Sequence, residues 1–288
     1  MIRKRLFLLL IIILVTFAQA TAQQPQSTDK WATLFGQKIH YLDVGQGPTV
    51  VLLHGLGGSS ANWALTVPAL ATKYRVIVPD QIGFGKSDKP LINYRVGTYV
   101  DFLDALLKEA KVEKATLVGN SLGGWIGAAY ALAHPAKVEK LVLVDAAGFA
   151  LGPNDDPKRL YTLNISTREG VRQMLPLVMY NYKLFMGDAA VDAFLAQRLA
   201  AGDGFTINAL LESVKRGEDT LDGQLDKLKT PTLIIWGKQD GLTPLAWGER
   251  FKKEIPNSEI IIFDQCGHAP PLEKATDFNA ALIKFLEK

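Results

Sequence analysis

The chain has a single cysteine, Cys266, among its 288 residues. An intramolecular disulfide is therefore excluded, and stability must come from the apolar core. The four histidines stand apart at positions 40, 54, 134 and 268. That scatter offers no Cys/His cluster with zinc spacing and argues against a zinc hydrolase. No acidic residue precedes Asp29, and Arg3, Lys4 and Arg5 account for the whole formal charge of +3. Without them the chain holds 29 basic and 29 acidic residues, a balance that favours neither nucleic acid nor an anionic membrane as a partner. Internal repeats and low-complexity segments are also missing. The longest apolar run, Leu6 to Ala18, is too short to span a bilayer comfortably. Between a basic start and the small residues Ala18-Gln19-Ala20, it reads as a secretory signal peptide over residues 1–22. The expectation is an exported protein, periplasmic or secreted, with no integral membrane span in the mature chain and a polar linker over residues 23–30.

What is present is alternation. Short apolar runs recur at Ala32–Phe35, Lys38–Leu42, Thr49–Leu53, Tyr74–Val78, Ala115–Val118, Leu141–Val144, Thr232–Trp236 and Ile260–Phe263. Continuous apolar strands bounded by turns belong to sheets covered on both faces. Helical patterns separate them at Ser60–Ala71, Val96–Ala110, Ser121–Ala133, Pro244–Glu254 and Thr276–Leu286. The fold class is thus α/β, a doubly wound and mostly parallel sheet. Residues 31–148 and 229–288 make up this core. From 149 to 228 no strand pattern is found, only helical stretches such as Arg168–Tyr180, Ala189–Ala201 and Thr206–Arg216. A helical insertion of this kind is expected to form a cap over the strand ends, where ligands bind.

The chemistry centres on Gly119-Asn120-Ser121-Leu122-Gly123. A Gly-x-Ser-x-Gly run between a strand and a helix presents its serine on a sharp turn, which the small neighbours allow to pack. A serine hydroxyl then needs a base to take its proton and an acid to orient the base. In proteins with this turn, acid and histidine follow the serine along the chain. His134 lies on the helix that Ser121 opens, more than three turns away. His268, in the loop after the last strand, is the candidate base. Asp240, just past the Thr232–Trp236 strand, is the candidate acid. Asp145, which also closes a strand, is the rival, more naturally a structural carboxylate bonding loop amides. The oxyanion donors are expected to be the backbone N–H groups of Leu56, in the glycine-rich loop His54-Gly55-Leu56-Gly57-Gly58, and of Leu122. His54 is expected to hold that loop through its ring, and Asp80 to serve a turn. Trp125 and Cys266 read as packing residues, whereas Tyr180–Met186 fits either an acyl pocket or ordinary packing.

Together, His54-Gly55, Asp80-x-x-Gly83-x-Gly85-x-Ser87, the Ser121 turn with Gly124, Asp240 and Gly267-His268 resemble the α/β-hydrolase superfamily, over nearly all of the chain from Gly36 onward. The resemblance implies an eight-stranded, mostly parallel sheet, a helical cap after the sixth strand and a Ser-His-Asp triad, without cofactor or metal. Serine at the nucleophile position points away from dehalogenases and epoxide hydrolases of the superfamily, which use aspartate. The expected activity is that of a carboxylesterase or lipase-like enzyme on small-molecule acyl esters. The alternatives are a C–C bond hydrolase of aromatic ring-fission products, which Asn120 and Gly123-Gly124 resemble, an acyltransferase, and a non-catalytic binding protein. The C–C hydrolases usually carry Trp after the histidine and a substrate-binding arginine in the cap. Here Ala269 follows His268, and the cap offers Arg168, Arg172 and Arg198.

Overall fold

The computed structural model describes residues 28–152 and 162–288. The expected signal peptide and the start of the linker lie outside the described residues, as does part of the expected cap. Eight strands form one sheet: β1 (Thr28–Leu34), β2 (Gln37–Val44), β3 (Thr49–Leu53), β4 (Arg75–Pro79), β5 (Ala115–Asn120), β6 (Val138–Val144), β7 (Thr232–Gly237) and β8 (Ser258–Phe263). Their order is β1-β2-β4-β3-β5-β6-β7-β8, antiparallel at β1/β2 and β2/β4 and parallel thereafter. β1 begins at Thr28, so the last three residues expected as linker pair with the sheet.

The alternation along each strand explains why the inner strands are apolar throughout. Val51, Leu53, Leu117, Leu141, Leu143, Ile234 and Trp236 belong to one buried cluster. Val50, Leu52, Val118, Val142, Val144, Leu233 and Ile235 belong to the other. Successive side chains thus face opposite layers, and both layers are dry. The first layer includes residues of helices α1 (Val96–Glu109) and α2 (Leu122–Ala133). One helical expectation changes: Ser60–Ala71 is a 3₁₀ turn at Ser60–Trp63 followed by a four-residue helix at Val67–Leu70. Pro68 lacks the N–H that a continuous helix would use there.

Between β6 and β7 the described residues contain no strand. They hold α3 (Arg168–Val178), α4 (Asp188–Ala201) and α5 (Gly204–Lys215). Val171, Met174, Leu175 and Val191 give the insertion its own small core. α6 (Leu245–Glu254) and α7 (Ala275–Leu286) complete the fold, with Phe278 and Leu282 of α7 in the second layer. Among the described residues no helix is long and apolar enough to cross a membrane.

Candidate active site

β5 runs up to Asn120 and α2 starts at Leu122, leaving Ser121 alone at the corner with φ 56° and ψ −118°. Positive φ is strained for a residue with a side chain, so the surroundings must hold it. They do so through the Ser121 N–H, which donates to Val144 O at 2.9 Å. The Ser121 carbonyl accepts from the N–H groups of Gly124, Trp125 and Ala147. The flanking glycines are sterically required. A Cβ on Gly119 would lie 2.1 Å from Gly123 O, and one on Gly123 would lie 2.2 Å from Leu53 O.

The loop after β3 approaches the same corner, for a Cβ on Gly55 would stand 3.2 Å from Ser121 Cβ. His54 anchors this loop. Its Nε2 accepts from the Gln81 N–H at 3.0 Å, which leaves the proton on Nδ1 to donate to Gly55 O at 2.8 Å. Burial lowers the imidazole's pKa, so the ring stays neutral and holds that tautomer. The Gln81 amide adds a bond to His54 O at 2.8 Å. Among the described residues, neither the Leu56 nor the Leu122 N–H donates to an acceptor. Leu122 is the first residue of α2, where N–H groups have no intrahelical partner. Asp80 does more than serve a turn: its carboxylate accepts from the N–H groups of Ser60 and Lys86 and meets His40 Nδ1 at 2.9 Å.

His268 Nδ1 meets Asp240 Oδ2 at 2.7 Å, with both side chains nearly inaccessible. Asp240 Oδ1 also accepts from the N–H groups of Leu242 and Thr243, and the Thr243 hydroxyl donates to Oδ2 at 2.7 Å. Burial pushes the Asp240 carboxyl up, but the nearby His268 and these donors outweigh it and hold the pKa below its ordinary value. Asp145 does not take that position. Its Oδ1 accepts from the Gly237 N–H at 2.8 Å, bracing a loop amide as expected of the rival. Burial and the Asp240 charge push the Asp145 carboxyl well above the usual carboxylate range.

The structure brings Ser121 to the histidine loop through its neighbour. The Asn120 side-chain amide donates to both His268 O and Val144 O at 3.1 Å. Ser121 Oγ and His268 Nε2 are not hydrogen-bonded, and Nε2 is buried without a partner among the described residues. Catalytic hydrogen bonds often close only once substrate is bound. Asp145, Asp240 and His268 place ligand-type atoms within 4.8 Å of one another. The 2.7 Å contact between Nδ1 and Asp240 Oδ2 has the length of a hydrogen bond and is shorter than the roughly 3.3 Å between two ligands of a tetrahedral zinc.

The inserted helices touch these loops directly. The His268 N–H donates to Val178 O at 2.7 Å and the Gly241 N–H to Leu177 O at 3.0 Å. Glu273 joins the two sides, accepting from the Gly267 N–H at 2.9 Å and the Tyr180 N–H at 2.7 Å. Of the three cap arginines, Arg168 and Arg172 pair with Asp192 and Asp188. Arg198 reaches inward, binding Asp203 and donating to Gly57 O at 2.8 Å. Trp125 is buried, its indole N–H donating to Asp219 O. Tyr180–Met186 splits: Leu184 and Phe185 are exposed, while Tyr182 and Met186 pack on the insertion's core. Cys266 is buried, and burial raises its thiol pKa far above the range of a reactive thiolate. Sequence reasoning missed Thr243 and Glu273 as organisers of the site, and named Arg198 only as one of three cap arginines. Thr243, three residues after Asp240, offered the clearest local signal.

The sequence profile of the α/β-hydrolase fold matches residues 48–178 and 194–275. The chain belongs to the α/β-hydrolase family. A 2-hydroxy-6-oxononadienedioate/2-hydroxy-6-oxononatrienedioate hydrolase of Paraburkholderia phymatum is 35% identical to this hydrolase over 263 residues, covering 86% of this chain and 91% of the relative. A solved meta-cleavage product hydrolase from Pseudomonas fluorescens is 31% identical with a TM-score of 0.80, covering 90% of this chain and 97% of that one. A bacterial membrane phospholipase A superposes with a TM-score of 0.81 at 27% identity, over 91% of this chain and 86% of that one. Shape therefore does not choose the reaction, because one fold hosts several. The curated relatives overturn the carboxylesterase reading. They are hydrolases of ring-fission products, the chemistry first held as the alternative.

Proposed function

We propose that this hydrolase cleaves a carbon–carbon bond in a small ring-fission product of the 2-hydroxy-6-oxo-dienoate class. The observation that carries the reading is the 35% identity over 263 residues to a hydrolase of that class. The site supports it: Ser121 sits on its turn, His268 is oriented by Asp240, and the Leu56 and Leu122 N–H groups lack acceptors among the described residues.

Such a bond breaks only if the departing carbon's electron pair can be delocalised. In the keto form of the substrate, the C2 carbonyl is conjugated through C3=C4 to C5, so it can accept that pair. Ser121 Oγ attacks the C6 carbonyl while His268 Nε2 takes the hydroxyl proton. The new oxyanion is held by the two N–H groups, and Asp240 stabilises the imidazolium. Collapse breaks C5–C6, and the pair moves onto the C2 oxygen as a dienolate, which takes up the proton from His268. Water, activated by His268, then cleaves the acyl-Ser121 ester and releases the acid. In sum, one water is consumed and one acid and one 2-hydroxydienoate form. The inserted helices serve as the cap that selects the group on C6.

The reading is tested by following loss of the conjugated substrate's absorbance with a series of 2-hydroxy-6-oxo-dienoates, with both products identified. The wild type is expected to release the acid and the shorter dienoate in equal amounts. Ser121→Ala is expected to lose on the order of 10⁴-fold or more in kcat. Absence of turnover across the series, or a Ser121→Ala variant at wild-type rate, would remove the reading.

A further inference from the structure

Asp145 is a buried acid that the reaction above does not use. It is fully inaccessible and adopts φ 44°, a backbone conformation that costs energy in a residue with a side chain. Its two carboxyl oxygens differ. Oδ1 accepts from the Gly237 N–H at 2.8 Å, whereas Oδ2 is buried and receives no N–H or O–H donor among the described residues. An ionised carboxylate in that state would carry a desolvated oxygen with nothing to offset it. The Asp145 carbonyl oxygen lies at the same site, 3.1 Å from the Thr243 hydroxyl oxygen. That hydroxyl bonds Asp240 Oδ2.

We propose that Asp145 is held as a neutral carboxylic acid whose Oδ2–H donates to the Asp240 carboxylate, which makes it a positioning residue for the acid that orients His268. The geometry places a carboxyl oxygen of each aspartate and a ring nitrogen of His268 within 4.8 Å of one another, all three residues being buried. Two bare carboxylates at that separation repel strongly, and sharing one proton removes the repulsion while satisfying the orphaned oxygen. The groups that act on Asp145 are the Asp240 carboxylate and the Gly237 N–H, from the end of β7 and its loop, and the Glu273 carboxylate. Both carboxylates oppose its ionisation, and the His268 ring, engaged by Asp240, lies within 4.8 Å. The proton costs Asp240 none of its hold on the ring, because Leu242, Thr243 and His268 already fix its orientation.

The inference rests on the reading of Asp240 as the acid, and its test separates the two. Infrared difference spectra of the wild type minus Asp145→Asn at neutral pH are expected to show the C=O band of a protonated carboxyl group. Absence of that band would overturn the proposal, whether or not the chain turns over a dienoate. Where Asp145→Asn does not fold, the carboxyl carbon shifts of ¹³C-aspartate-labelled wild type are read instead. One aspartate retaining the neutral-acid shift up to pH 8 is the expected result, and ionised shifts for every aspartate would overturn it.

Kinetics give the second arm. Asparagine keeps a neutral hydrogen-bond donor, so Asp145→Asn is expected to retain activity within about threefold. The acid limb of its kcat/KM profile should be unmoved. An ionised Asp145 in the wild type would instead have stabilised the His268 cation, and its removal would shift that limb to lower pH, which would overturn the proposal. Asp145→Ala removes the donor and is expected to lower kcat about tenfold.

Discussion

The backbone N–H of His268 donates to the carbonyl oxygen of Val178 at 2.7 Å, so the loop carrying the proposed base hangs from the last residue of an inserted helix. One residue earlier, Leu177 O takes the N–H of Gly241 beside the proposed acid. The insertion is thus bonded to both loops that must stay aligned. A Cβ on Gly267 would lie 2.5 Å from Val178 O, and one on Gly241 would lie 2.9 Å from Leu177 Cα, so glycine is what lets the chains meet. Anything that loosens the insertion should register at the imidazole.

Glu273 is the side chain that closes this arrangement, holding the N–H groups of Gly267 and Tyr180 together. Glu273→Ala is expected to lower kcat about tenfold, with KM changing less, because two charge-assisted bonds orienting the loop are lost. Glu273→Gln, which keeps one carbonyl oxygen, should fall between. Steady-state kinetics alongside circular dichroism separate this from unfolding.

Arg198 ties α4 to the oxyanion loop through Gly57 O and neutralises Asp203, whose side chain is only 2% exposed. Arg198→Ala leaves that carboxylate buried without its cation, at a cost of about 3 kcal/mol. A lowered urea midpoint with unchanged slope, together with reduced kcat, is the expected result. Replacing Asp203 by asparagine in the same chain should recover stability but not the grip on Gly57.

Gly123 is set against backbone that cannot move aside, with a Cβ calculated at 2.2 Å from Leu53 O and 2.8 Å from His54 O. Gly123→Ala is expected to cost about 3 kcal/mol and to displace α2 from Ser121. Thermal unfolding should show the loss, and residual enzyme should react slowly with a serine-directed phosphonate.

His54 makes stability depend on pH. Its folded-state pKa is lowered by burial, so unfolding takes up a proton below the unfolded value of about 6.5. Its contribution is therefore complete above that pH and is lost as pH falls, at up to about 1.4 kcal/mol per unit. His54→Asn should be less stable than the wild type at pH 8, but with a flatter dependence between pH 7 and 5. Urea titrations of both proteins across that window provide the check.

Much of the fold was legible because the inner strands are short, continuous and apolar, as sheets covered on both sides require. The Ser121 turn was equally plain, since Gly119 and Gly123 are dictated by contacts made locally along the chain or with the adjacent strand. The helix expected at Ser60–Ala71 divides ahead of Pro68, which sits in the first turn of the second piece, a local signal outweighed by the apolar pattern around it. The proposed reaction was not legible from the candidate triad, because attack, oxyanion and acyl-serine are common to ester hydrolysis and the C–C cleavage proposed. The relatives turned that reading.

Sequence by itself determined the alternating sheet, the serine on its corner and the order in which acid and histidine follow, because these depend on residue type and short spacing. Tertiary structure decided which of Asp240 and Asp145, two aspartates that both close apolar strands, meets the imidazole. Only packing places Asp240 against the imidazole and leaves Asp145 behind it with a single loop amide. It likewise decided that Arg198, not Arg168 or Arg172, reaches the oxyanion loop, and that Glu273 binds the insertion to the histidine loop. These contacts join residues as far as 141 positions apart. Their distances follow from how layers of side chains fill space, which local patterns in a single chain do not encode.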